Sequence, residues 1–265
     1  MQIGVSALGI SEAWMLLFLL VFARVLGLVL ICPIFSTNNV PVSARLGLAA
    51  FVSFLLLPVS TAAPQLDTGQ LSLAVLGVLM AKEFMLGAIL SFAASLLFGA
   101  LTWAGSVLDS QMGFGFAQMI DPITGVRSAI VAQSLNLVAM LIFLELNGHH
   151  ILFYALGTSF SVVPIGGIKA SAELAEGVSS TWTGMFTLAL RIVAPVVIVL
   201  LLIDLAQAVV GRMIPQMNVF LVGLPLKIAV GGLVFAIVLP ALAAIMSNAF
   251  TALSDDLRGL MNLML

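Results

Sequence analysis

Charge is what this sequence has least of: 9 Lys+Arg and 11 Asp+Glu stand among 265 residues, 8% where an ordinary globular chain carries roughly 25%. So few charges cannot coat a water-facing surface, and most of the exterior must meet lipid or other apolar protein. The formal net charge is -2 and no Lys/Arg run occurs, which excludes a nucleic-acid binder working through a basic patch. The single cysteine, Cys32, ends an apolar run, forms no internal disulfide and reads as packing. The two histidines, His149 and His150, are adjacent and point in different directions on a helix. With no Cys or further His to complete a ligand set, they read as a polar cap at a helix start rather than a metal site. No His-Glu-x-x-His, Gly-x-Ser-x-Gly or Walker-type loop is present, so enzyme catalysis has no support and no cofactor is expected. The first residues lack a positive n-region, and Glu12 precedes an apolar run that holds Arg24 and is too long for a signal segment, so the N-terminus reads as retained.

What is abundant is apolar sequence: hydrophobic residues make up 62% of the chain, and mean hydropathy is +1.27. A helix needs ~20 apolar residues to cross a hydrocarbon core of ~30 Å. Runs of that kind extend over 13–32, 71–108, 129–146, 185–210 and 219–250, with shorter ones over 46–57 and 151–164. Lys82-Glu83 divides the run 71–108, whose longer arm is rich in small residues such as Gly87, Ala88, Ser91 and Gly99 that let helix backbones approach closely. Pro225, Lys227 and Pro240 interrupt the last run. Residues 166–183, with Lys169, Glu173 and Glu176, read as a solvated connection, and 254–265 as a short amphipathic end. The expectation is an all-α integral membrane protein of about six to eight helical segments, several too short or interrupted to be straight crossings. The basic residues are too scattered for the positive-inside rule to set topology.

Charges within apolar runs cost roughly 2.5–3.5 kcal/mol each on insertion scales and each needs a reason. These are Arg24, Lys82, Glu83, Arg191, Asp204 and Lys227. They could form an ion or proton pathway, or pair between helices or subunits. Pairing is better supported, because both signs are present and no helix carries a repeated acidic or histidine series. Arg191 and Asp204 lie nearly 20 Å apart along a helix at ~1.5 Å per residue, too far to pair with each other.

Two stretches are dense in polar groups. The first is Asp109-Ser110-Gln111-Met112-Gly113-Phe114-Gly115-Phe116-Ala117-Gln118-Met119-Ile120-Asp121-Pro122, in which glycines bend the backbone between bulky apolar side chains. Non-helical backbone at membrane depth survives only buried in protein or lining a cavity. The segment 109–127 therefore suits a plug or constriction in a pore, or an amphipathic loop on the bilayer surface. The second holds Asp204, Gln207, Gly211, Arg212, Pro215, Gln216, Asn218 and Phe220. If the helix continues past Pro215, the polar groups at 204, 207, 211 and 218 form one stripe, which a pore or a static bundle core would satisfy equally.

These stretches carry a resemblance. Gln111-Met-Gly113-Phe-Gly with Asp121-Pro122, Leu146-Asn147-Gly148-His149-His150 followed by Ser159-Phe160 and Pro164, and Asp204 through Arg212 and Pro215-Gln216-Met-Asn218-Val-Phe220 to Pro225-Leu-Lys227 together resemble the FliR family of export-gate subunits. That family is shared by flagellar and virulence type III secretion systems. The likeness runs over almost the whole chain in order, and the Asn-Gly-His-His piece looks more like the flagellar branch. The resemblance implies bent helical hairpins in a hetero-oligomeric helical gate, with one copy of this chain among several of FliP and FliQ, FlhB on the cytoplasmic side and FlhA nearby. The gate would sit in the bacterial inner membrane at the flagellar basal body and pass unfolded flagellar subunits. It further implies a fused unit, FliP-like over 1–166 and FliQ-like over 184–265 with 167–183 connecting them, and a channel plug at Gln111–Pro122 with Phe114 and Phe116 as its occluding side chains. Lys82, Glu83, Arg191, Asp204 and Lys227 would then be intersubunit or helix-break contacts. The competing expectation is a self-contained secondary transporter or channel, since broken helices and buried charges also build substrate sites.

Overall fold

The computed structural model describes residues 12–36, 40–59, 72–114, 129–168, 171–216 and 218–264. Among these, every regular element is a helix: α1 (Glu12–Ile31), α2 (Val42–Leu56), α3 (Leu73–Met112), α4 (Ile130–Glu145), α5 (Gly148–Val162), α6 (Ala172–Met213) and α7 (Val219–Leu263). Four of them, α1, α3, α6 and α7, are long and apolar enough to cross a membrane, and α4 with α5 passes the same test as a broken pair. The break falls at Asn147, whose φ of 54° is the only positive value among described non-glycine residues. Its carbonyl accepts from the His150 and Ile151 amides, placing both histidines in the first turn of α5.

Three sequence expectations are corrected. Lys82-Glu83 does not divide α3, which runs unbroken for 40 residues. Both are good helix formers, and Glu83 finds a partner that removes the cost of its burial. The connection expected over 167–183 is helical from Ala172, because Ser171 Oγ accepts from the Leu174 amide and Glu173 occupies the first turn, an N-terminal cap with favourable dipole. Neither Pro225 nor Pro240 interrupts α7, which continues through the expected tail to Leu263. Apolar membrane helices tolerate proline when neighbouring groups satisfy the freed carbonyl.

The chain divides into two compact units, each assembled from separated stretches. The first comprises Met1–Leu96, Asn147–Thr181 and Ala252–Leu265. Its core is built by Leu20, Val25 and Leu28 of α1 with Leu86 and Leu90 of α3 and Leu156 of α5, all fully buried. α1 and α3 touch backbone to backbone: a Cβ at Gly87 would strike the Arg24 carbonyl, and one at Gly27 the Phe84 carbonyl. The second unit comprises Leu97–Leu146 and Trp182–Thr251. Phe98, Phe143 and Phe250 form its centre, with ring centroids 5.2–5.7 Å apart, distances at which aromatic pairs attract beyond their area burial. Gly105 lies directly on the Ala132 backbone, and Asn136 Nδ2 donates to Thr102 Oγ1 at 2.9 Å, tying α4 to α3. Along α6 and α7 the side chains of Leu201, Leu202, Leu205, Leu221, Leu233 and Ile237 are exposed, an apolar surface far beyond what a soluble monomer presents.

Candidate functional site

The Gly/Phe segment leaves α3 through a helix stop that its sequence encodes. Gly113 takes φ 88°, a left-handed value that glycine adopts without strain. The Phe114 amide donates to the Asp109 carbonyl at 3.0 Å and the Gly113 amide to the Ser110 carbonyl at 3.1 Å, the paired bonds of a Schellman stop. Asp109 and Ser110 therefore belong to the last turn of α3, not to the loop expected from 109. Met112 is buried, its side chain against Gly231 of α7, while Gln111 and Phe114 are half-buried. The remaining residues of the expected plug, Gly115, Phe116, Gln118, Met119, Asp121 and Pro122, lie outside the described residues.

The second polar stretch does not make one continuous stripe. Pro215 has no amide to donate and disfavours helical backbone before it, so α6 stops at Met213 and a turn follows. Asn218 starts α7, its Oδ1 accepting from the Leu221 amide at 3.3 Å. Across the turn, Gln207 Nε2 donates to the Gly223 carbonyl at 3.4 Å, and Asp204 pairs with Lys227. The absence of a Cβ at Gly223 leaves room for the Gln207 side-chain amide, which a larger residue there would displace. Arg212, Pro215 and Gln216 are exposed at the tip.

The two stretches meet. A cavity of about 100 Å³ is lined by Ser110, Gln111 and Gly113 from the end of α3 and by Gln207, Gly223, Leu224 and Lys227 from the α6–α7 pair. The point where the Gly/Phe segment departs thus rests on a polar floor made from the second stretch.

Arg24 and Glu83 form a separate constellation within the first unit. Arg24 Nε donates to Glu83 Oε2 at 2.6 Å, its other nitrogens reach Ser159 Oγ at 3.1 Å and the Val163 carbonyl at 3.2 Å, and the guanidinium lies 4.1 Å from the Phe160 ring centroid. Glu83 Oε1 accepts from the Gly166 amide at 2.7 Å. Both side chains are fully buried, and with every oxygen bonded the pair acts as a clasp among α1, α3 and the end of α5. Lys82 is half-buried and Arg191 exposed, each outside the two ion pairs found among the described residues. Cys32 is buried.

Asp109 is the residue that pattern reading missed. Its Oδ1 and Oδ2 accept from the amides of Val131 and Ala132 at 2.9 and 3.0 Å, capping α4 where its own preceding residue, Ala129, offers no side-chain bond. The capping acid stands more than twenty positions before the helix it caps, so no local motif announces it.

Among the described residues, four long apolar helices, two ion pairs and a glycine-terminated helix leading into a Gly/Phe segment define an integral membrane protein. The chain belongs to the bacterial export proteins, family 1, which it matches over residues 15–253. It is 33% identical over 249 residues to the flagellar biosynthetic protein FliR of Bacillus subtilis (strain 168), covering 93% of this chain and 95% of that one. It is 30% identical over 239 residues to FliR of Escherichia coli (strain K12), 90% of each. The surface presentation of antigens protein SpaR of Shigella sonnei is 30% identical over 207 residues, 78% of each.

Proposed function

We propose that this chain is the single-copy member of a closed helical ring with FliP and FliQ in the bacterial inner membrane, at the flagellar basal body. FlhB joins on the cytoplasmic side and FlhA stands nearby, and the ring passes unfolded flagellar subunits out of the cytoplasm. Gln111–Pro122 is its plug, and the side chains of Phe114 and Phe116 occlude the channel. Residues 1–166 fill a FliP-like place and 184–265 a FliQ-like one. The observation that carries this reading is the end of α3: a glycine-encoded stop releases the Gly/Phe segment above a polar cavity, within a member of an export family. The flagellar branch is favoured by Asn147-Gly148-His149-His150 and by the fuller coverage of the FliR relatives than of SpaR. The transporter alternative loses one of its two motives, since Arg24 pairs with Glu83 and Lys227 with Asp204.

The test is co-expression of a tagged copy with FliP and FliQ, detergent extraction and native mass spectrometry. A hetero-oligomer containing one copy of this chain is expected. A stable monomer or homo-oligomer that ignores both partners would overturn the reading.

A further inference from the structure

We infer that Asp109 is the positioning residue of the Gly/Phe segment, holding the point where the chain leaves α3 against the point where it returns into α4. Three bonds converge on this one residue. Its carbonyl accepts from the Phe114 amide and so closes the outgoing turn. Its two carboxylate oxygens accept from Val131 and Ala132 and so fix the returning helix start. The residue is 6% exposed, and a carboxylate buried to that extent needs the amides as much as they need it. α4 relies on it, because among the described residues its N-cap Ala129 offers no side-chain bond and a helix start presents unpaired amides with partial positive charge. Close packing supports the same junction: Gly105, one turn earlier on α3, lies against the Ala132 backbone with no space for a Cβ. Residue 109 thus touches both junctions, its backbone closing the outgoing turn and its carboxylate fixing the start of α4.

The effect of this clamp on the channel rests on the plug assignment proposed above, whereas the clamp itself can be measured alone. In the full chain, extracted with its partners, Asp109→Ala is expected to speed hydrogen exchange at the Val131 and Ala132 amides about 5- to 30-fold, the ratio for losing a helix cap. Asp109→Asn, which keeps one acceptor oxygen, is expected to speed one amide and spare the other. At unchanged complex yield, Asp109→Ala should also raise resting ion conductance toward that of a chain lacking Gly113–Phe116. Unchanged exchange at both amides in Asp109→Ala overturns the inference. If that variant fails to assemble, unchanged exchange at both amides in Asp109→Asn overturns it instead. A Gly113–Phe116 deletion that assembles without leaking removes the plug assignment, and the exchange measurement still decides the role of Asp109.

Discussion

Arg24 is a fully buried arginine in an apolar helix, and its surroundings explain how the chain tolerates it. Glu83, Ser159 and the Val163 carbonyl take its donors while Phe160 covers its face. A buried pair of this kind is weak evidence for net stability, yet breaking it by removing one partner leaves an uncompensated charge at a cost of about 3–5 kcal/mol. Arg24→Met is therefore expected to lower the midpoint of heat-induced unfolding in detergent more than the double change Arg24→Met with Glu83→Leu, which removes both charges. Equal damage from the single and double variants would show that the clasp matters for shape and not for charge. The two positions lie 59 apart, so the sequence marks each as an anomaly without naming its partner.

Contact between elements depends on where glycine meets backbone. On α3, a Cβ at Gly87 collides with the Arg24 carbonyl, whereas at Gly77 it meets nothing. Two substitutions on one helix should therefore part ways. Gly77→Ala is expected to be neutral or to stabilise by up to ~1 kcal/mol through helix propensity. Gly87→Ala forces α1 and α3 apart and should cost roughly 1–3 kcal/mol. Heat inactivation of both variants in the same detergent checks this, and a Gly87→Ala protein as robust as Gly77→Ala would place the close approach elsewhere. The small-residue pattern on α3 was legible as a contact face, but the particular neighbour was not, because small residues license an approach from any helix.

For the whole molecule, exposure of apolar side chains along α6 and α7 calls for lipid or partner protein. The tip between these helices carries Arg212, exposed, and Asn218, which caps α7. Arg212→Ala is expected to weaken association with the partner subunits while leaving the stability of the chain unchanged. Asn218→Ala should weaken it too and also cost about 1 kcal/mol through the lost cap. Pull-down yield against a melting curve separates the two effects, and full yield from both variants would exclude the tip as a contact.

The sequence by itself determined that the chain is helical and lives in an apolar environment, because hydropathy and charge scarcity are sums over residues that no packing can reverse. Local cues stand at two helix ends, Gly113 after Met112 and Pro215 after Met213. Yet the sequence reading begins the loop at Asp109 and leaves continuation past Pro215 open, because a glycine or proline permits a stop without fixing the residue at which the helix ends. Only the tertiary structure decided that Glu83 belongs to Arg24, that Lys227 belongs to Asp204, that the two polar stretches share one cavity, and that Asp109 caps a helix more than twenty residues away. Each of these joins residues distant along the chain. A local pattern records that a buried polar group must find a partner, and only the fold determines which partner comes within reach.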